Sequence, residues 1–198
     1  MKKITALTVV LCLFFVLAAC SNQTKEETSV VGPDSKILVA YFSCTGNTEK
    51  VAEHIADELG ADIYEIVPKK PYTDADLDHN DSSGRAFLEQ NDDTSRPAIS
   101  GSVENMEDYD IVFLGYPIWW GEAPRIIHTF LESYDFSDKT IIPFCTSGNV
   151  DIGSSAENLH SSASNSANWL DGIRFPSNVA RQAVTEWLND LPIKFTAQ

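Results

Sequence analysis

Apolar and polar positions alternate along residues 36–198 in a way that separates strands from helices. Ile37–Phe42 is an unbroken apolar run, the pattern of a strand buried on both faces of a parallel sheet. Val51, Ala52, Ile55, Ala56 and Leu59 then recur at helical spacing, and Gly60 supplies a C-terminal stop. Ile63–Val67 alternates and ends at Pro68, which suits an edge strand. Asp110–Leu114 and Thr140–Phe144 read as two further buried strands. Between them lies a helix with apolar positions Ile126, Ile127, Phe130 and Leu131, and Pro124 fits its first turn. A Ser/Asn-rich helix, a weak strand at Ile173–Phe175 and a last helix presenting Val179, Ala183, Trp187, Leu188 and Leu191 complete the pattern. Residues 69–105 are polar and acidic, with one helix-like stretch around Arg85–Glu89.

Strand and helix alternating five times predict an α/β domain, a parallel sheet with helices on both faces, and right-handed crossovers restrict its topology. Pro143 fits poorly, because an interior strand needs the N–H that proline lacks. Ligands of such sheets bind beyond the carboxyl ends of the strands, where the strand order reverses. Three loops leave carboxyl ends: Ser43–Thr48, Tyr116–Gly121 and Cys145–Asn149.

The first loop is Ser43-Cys44-Thr45-Gly46-Asn47-Thr48, at the start of a helix, where backbone N–H groups favour an anion. It lacks the Gly-x-x-x-x-Gly-Lys-Ser/Thr of a nucleotide-triphosphate loop. With one glycine it also lacks the dinucleotide fingerprint. A phosphatase-like loop would place an arginine where Lys50 stands, and lysine cannot make the bidentate fork. Taken alone, the loop reads equally as a cradle of neutral donors for a phosphate monoester or as an ordinary polar turn. The second loop, Tyr116-Pro117-Ile118-Trp119-Trp120-Gly121, offers adjacent tryptophans as a stacking surface. The third, Cys145-Thr146-Ser147-Gly148-Asn149, offers hydroxyls and amides for the polar edge of a heterocycle. A phosphate, a planar ring and a polar ring edge together describe flavin mononucleotide (FMN).

These three loops, in order, resemble the flavodoxin family over roughly Lys36 to Leu191. The resemblance implies a three-layer, doubly wound five-stranded parallel sheet of order 2-1-3-4-5, with FMN between the first and third strands. It implies phosphate contacts from Ser43, Thr45, Gly46, Asn47 and Thr48, with Cys44 in the same loop. Ring contacts fall to Pro117, Ile118, Trp119, Trp120 and Gly121 and to Thr146, Ser147 and Gly148, with Trp119 expected on the ring face and Trp120 nearer its edge. Electron-carrying members usually place an aromatic in the later loop, but residues 145–153 contain none. One ring face is then open to a hydride donor or a quinone-like acceptor, which leaves electron carrier and FMN-dependent oxidoreductase both open. Partners on this reading are a redox protein or a small electron donor or acceptor. The flavin does the electron chemistry, so no essential acid, base or nucleophile is expected. The competing class is a non-redox binding lipoprotein that keeps the scaffold.

The N-terminus adds a location. Lys2 and Lys3 precede a mostly apolar stretch, Ile4–Ala19, and then Cys20. This is the layout of a secretory signal, and the stretch falls short of the about 20 apolar residues that a membrane anchor needs. Leu17-Ala18-Ala19-Cys20 resembles a bacterial lipobox. Residues 1–19 are thus expected as a signal peptide, Cys20 as the lipid site, residues 20–35 as a polar tether, and 36–198 as an extracytoplasmic domain. The full chain has a net charge of −15; loss of two lysines with the signal leaves 12 basic residues against 29 acidic ones, or −17. That charge disfavours nucleic acid. It suits steering toward a basic partner, or simply solubility. Cys44 and Cys145 end strands separated by a third, nearly 10 Å apart at a strand spacing of about 4.8 Å, so free thiols are expected.

Other patterns carry less. Asp74, Asp76 and Asp78 imitate a calcium loop, but His79 stands at its glycine position and Arg85 at its closing glutamate. No Gly-x-Ser-x-Gly elbow is present. His54, His79, His128 and His160 show no metal-ligand spacing and read as surface or core histidines.

Overall fold

The computed structural model describes residues 29–32 and 35–195; the expected signal peptide and Cys20 lie outside them. The strands are β1 (Ser29–Val31), β2 (Lys36–Tyr41), β3 (Asp62–Glu65), β4 (Val67–Pro68), β5 (Ile99–Ser100), β6 (Tyr109–Pro117), β7 (Thr140–Thr146), β8 (Asn168–Trp169), β9 (Ile173–Phe175) and β10 (Ile193–Phe195). The α-helices are α1 (Asn47–Leu59), α2 (Arg85–Gln90), α3 (Arg125–Glu132) and α4 (Arg181–Asp190). The main sheet runs β3-β2-β6-β7-β8, all parallel, with β9 also paired to β7. Numbered by position, this is the expected order 2-1-3-4-5, with β8 and β9 sharing the fifth place.

Side-chain alternation along the strands divides the core between the two faces. Leu38, Ala40, Phe42, Val112 and Leu114 pack with Ile126, Ile127 and Phe130 of α3. Val39, Tyr41 and Phe113 pack with Val51 and Ile55 of α1 and with Val184 and Leu188 of α4. Each large apolar side chain buried this way contributes about 1.5–3 kcal/mol. A Cβ at Gly115 would lie 2.2 Å from Phe144 Cζ, so the close approach of that ring requires glycine on β6.

Pro143 is resolved by strand parity. The carbonyls of Lys139 and Ile141 accept from Asn168 and Leu170, so odd-numbered residues of β7 turn their polar groups to the outer strand. The N–H missing at Pro143 would point into the break between β8 and β9. Gly172 crosses that break, and a Cβ there would lie 2.9 Å from Pro143 Cγ.

Several expectations are corrected. No α-helix forms from the Ser/Asn-rich segment; it contains a short 3-10 helix, Glu157–Ser162. Its side chains bond elsewhere: Ser155 Oγ donates to the Ile152 carbonyl at 2.6 Å, and the Asn158 amide donates to Glu122. The last helix begins at Arg181, and Val184 rather than Ala183 turns inward. In the edge strand Ile63 faces solvent, while Ile66, just beyond it, is fully buried. The end of the expected tether is not free, because β1 pairs in parallel with β10. Among the described residues no helix is long and apolar enough to cross a membrane.

Candidate functional site

The three loops expected at the ligand converge on one cavity of about 500 Å³ beyond the carboxyl ends of β2, β6 and β7. From the first loop Ser43, Cys44, Thr45 and Thr48 line it. Gly46 does not line it but sets its shape: at φ 76° it turns the chain into α1, and its N–H donates to Ser43 Oγ at 3.1 Å. Asn47 Nδ2 donates to Thr45 Oγ1 at 3.0 Å, holding the loop together. The first N–H groups of α1 have no intrahelical acceptor, which makes this end of the cavity attractive to an anion.

Thr48 and Thr146 join the first loop to the third. Their Oγ1 atoms are 2.8 Å apart, and both residues are buried. Thr146 therefore braces the wall from behind instead of lining it. Ser147, Gly148, Asn149 and Val150 form the wall itself. Ser147 Oγ donates to the Val150 carbonyl, and Arg174 Nη1 holds the Ser147 carbonyl at 3.1 Å.

The second loop supplies Pro117, Ile118, Trp119 and Trp120. Trp119 and Glu122 exchange backbone hydrogen bonds of 2.9 and 3.0 Å, closing a two-residue turn around Trp120 and Gly121. Both central residues have positive φ, 47° and 88°, as a type I′ turn requires. Gly121 takes this conformation freely; Trp120 does so under strain. Buried Gln90 fixes the turn, its amide donating to the Trp119 and Ala123 carbonyls at 3.2 and 2.9 Å. Trp119 packs edge-on with Phe42 and Tyr72, centroids 5.5 and 5.2 Å away. Trp120 remains 41% exposed and meets Phe87 of α2 at 5.5 Å and His79 at 6.4 Å.

Residues 69–105, hardest to read from sequence, thus complete the site. Leu77, His79 and Ala86 line the cavity. Tyr72 donates to Glu89 at 2.5 Å, and Arg85 lies 4.1 Å above its ring and pairs with Glu89. No periodicity marks these contacts, and an isolated histidine in an acidic segment gives no signal. The aspartates that imitated a calcium loop serve turns: Asp76 accepts from Thr73, Asp78 from Asn80 and Asp81 from Ser83.

Cys44 and Cys145 are both unbridged, with β6 between their strands. Cys44 is exposed at the cavity, yet the surrounding protein removes enough water to push its thiol up to about 11. Burial pushes Cys145 up to about 12. Both are neutral thiols near pH 7.

Among the described residues the lining contains no lysine, arginine, aspartate or glutamate. A doubly wound sheet with this slot at its switch point, lined by the opening of α1 and by two tryptophans, defines an α/β protein built to hold a planar ligand with an anionic tail. The profile of the Flavodoxin family matches residues 36–191, and the chain belongs to that family. A flavodoxin of Haemophilus influenzae is 30% identical over 105 residues, covering 51% of this chain and 44% of the relative, so the match spans under half of that protein. A candidate flavoprotein of Bacteroides eggerthii is 46% identical with a TM-score of 0.75, covering 81% of this chain and 99% of that one. A Lactobacillus acidophilus flavoprotein solved in complex with FMN is 23% identical with a TM-score of 0.58, covering 77% and 98%; it shows the shared fold.

Proposed function

We propose that this protein binds FMN in the cavity formed by the three strand-end loops and uses it in electron transfer, anchored outside the cytoplasmic membrane through a lipid on Cys20. The observation that carries the reading is the convergence of three strand-end loops on one slot that combines hydroxyls, helix-opening amides and tryptophans. The residues fit the group. Hydroxyls of Ser43, Thr45 and Thr48 with the amides opening α1 would hold a phosphate, each charge-assisted bond contributing roughly 1.5–3 kcal/mol. Pro117 to Gly121 would face the ring, and Ser147 and Gly148 its polar edge, with Thr146 holding that wall in place. Bound flavin supplies the one- and two-electron chemistry; the protein sets affinity, access and potential.

The test is the visible spectrum of the full-length chain purified in detergent, followed by FMN and riboflavin titrations read by flavin fluorescence. We expect one FMN per chain, with riboflavin bound at least tenfold more weakly for lack of its phosphate. Absence of flavin together with failure to bind added FMN overturns the reading. Anchoring rests on the Leu17–Cys20 sequence, and Cys20→Ser should move the protein from the membrane to the soluble fraction.

A second reading, FMN-dependent reduction of a small acceptor, is favoured by the third loop, where Gly148, Asn149 and Val150 border the cavity without an aromatic ring. Bleaching of the bound flavin by NADH or NADPH alone would support it; reduction only by a protein donor would exclude it.

A further inference from the structure

Among the described residues His79 is the one basic side chain that lines the cavity, and imidazole as a side-chain type can be charged or neutral near neutral pH. Exposed, it lies 6.4 Å from the Trp120 ring, and no hydrogen bond engages it among the described residues. The charged groups around it are committed elsewhere. On its own segment Asp76, Asp78 and Asp81 accept from neighbouring turn residues, and Asp74 lies exposed. On α2, Arg85 is held by Glu89 and the Lys70 carbonyl. On the tryptophan loop Glu122 accepts from Asn158, and on the third loop Asp151 accepts from the Ile152 N–H. Arg174 holds the Ser147 and Gly148 carbonyls and does not line the cavity.

Resting on the FMN reading, we propose that His79 is the counter-charge for the reduced flavin ring and makes the protein's preference for reduced over oxidised FMN depend on pH. Uptake of two electrons and one proton from a donor leaves the ring one negative charge richer. In a chain of net charge −15 nothing else on the cavity wall balances that charge. An imidazolium beside the ring would favour the reduced state and a neutral imidazole would not; no bond forms between His79 and the flavin, and any proton on the imidazole comes from solvent. His79 is exposed, so water screens part of its charge, and a ring seated against it would strengthen the interaction by displacing that water.

The experiment measures the two-electron potential of FMN bound to the full-length protein, by dithionite titration at pH 6 and pH 9, for the native chain, His79→Gln and His79→Lys. In the native chain relative to His79→Gln, we expect a preference for reduced FMN about tenfold greater at pH 6. Tenfold is about 30 mV for a two-electron couple. The two should coincide at pH 9. His79→Lys should keep the preference at both pH values. A Gln–native difference that is absent at pH 6, or equal at pH 6 and pH 9, overturns the proposal while leaving FMN binding intact. Failure of the native chain to bind FMN at all overturns both.

Discussion

Thr48 and Thr146 share one buried hydrogen bond across 98 residues of sequence. Two hydroxyls carry two protons and the mutual bond uses one; with Thr146 as donor, the Thr48 proton is left for a ligand on the cavity side, where Thr48 lies. Thr48→Val keeps the shape, removes that donor and strands the Thr146 hydroxyl in a dry place. We expect a loss of about 1–3 kcal/mol in unfolding free energy without ligand, measured by urea denaturation, and a tenfold or greater loss of FMN affinity. Thr146→Val should cost similar stability with a smaller loss of affinity, since it touches the wall only from behind. Equal affinity losses would show that the bond, and not a donor at Thr48, supports the ligand. Residue types alone marked both threonines as candidates. Their pairing needed the strand register that puts β2 and β7 on either side of β6.

At the scale of elements, the tryptophan turn is the strained part of the site. A positive φ at a bulky residue costs on the order of 1–3 kcal/mol, and it is held here by the Trp119–Glu122 backbone pair and by Gln90. Trp120→Gly should relieve that strain, so the ligand-free protein melts at the same temperature or higher while FMN affinity falls severalfold through loss of a ring surface. Lower stability together with unchanged affinity would remove Trp120 from the site. The loop's composition announced a functional turn, because adjacent tryptophans beside proline and glycine are hard to explain as core. Its geometry was not readable, since an I′ turn ordinarily asks for Asn-Gly. Strand–helix alternation likewise exposed the parallel sheet, because long apolar runs have few ways to be buried, while its strand order came from the family resemblance. Of the two-part fifth strand, Ile173–Phe175 was visible as a weak strand, whereas Asn168–Trp169 was obscured, two residues being too short for any period. Apart from its helix at Arg85–Gln90, the 69–105 segment was illegible for the opposite reason. Its contacts are single side chains, such as Gln90, Tyr72 and His79, set by tertiary packing and not by repetition.

For the whole molecule, acidity and pH pull in opposite directions. A net charge of −15 repels itself, and acidification relieves that repulsion. Against this stands His128, 8% exposed on α3, its Nδ1 2.7 Å from Ser162 Oγ. Burial, then Arg96 and Arg125, push it from the ordinary value near 6.5 down to about 4, opposed by Glu132 and Asp93. The folded state thus binds fewer protons than the unfolded chain between those values. The stability this gives is full above pH 6.5 and is lost as pH falls toward 4. Exposed Asp76, Asp81, Asp92 and Asp135, held below the usual carboxylate range by turn hydroxyls and amides, add losses only at lower pH. In about 0.3 M NaCl the surface repulsion is largely screened and His128 should dominate. From pH 7 to pH 5 the native chain should then lose about 1–2 kcal/mol, allowing for partial solvent screening, or several degrees in melting temperature. His128→Gln retains a partner for Ser162 and cannot titrate, so its melting temperature should stay level over the same interval. If it falls in parallel with the native chain, the loss belongs to other groups and the buried histidine is not the source.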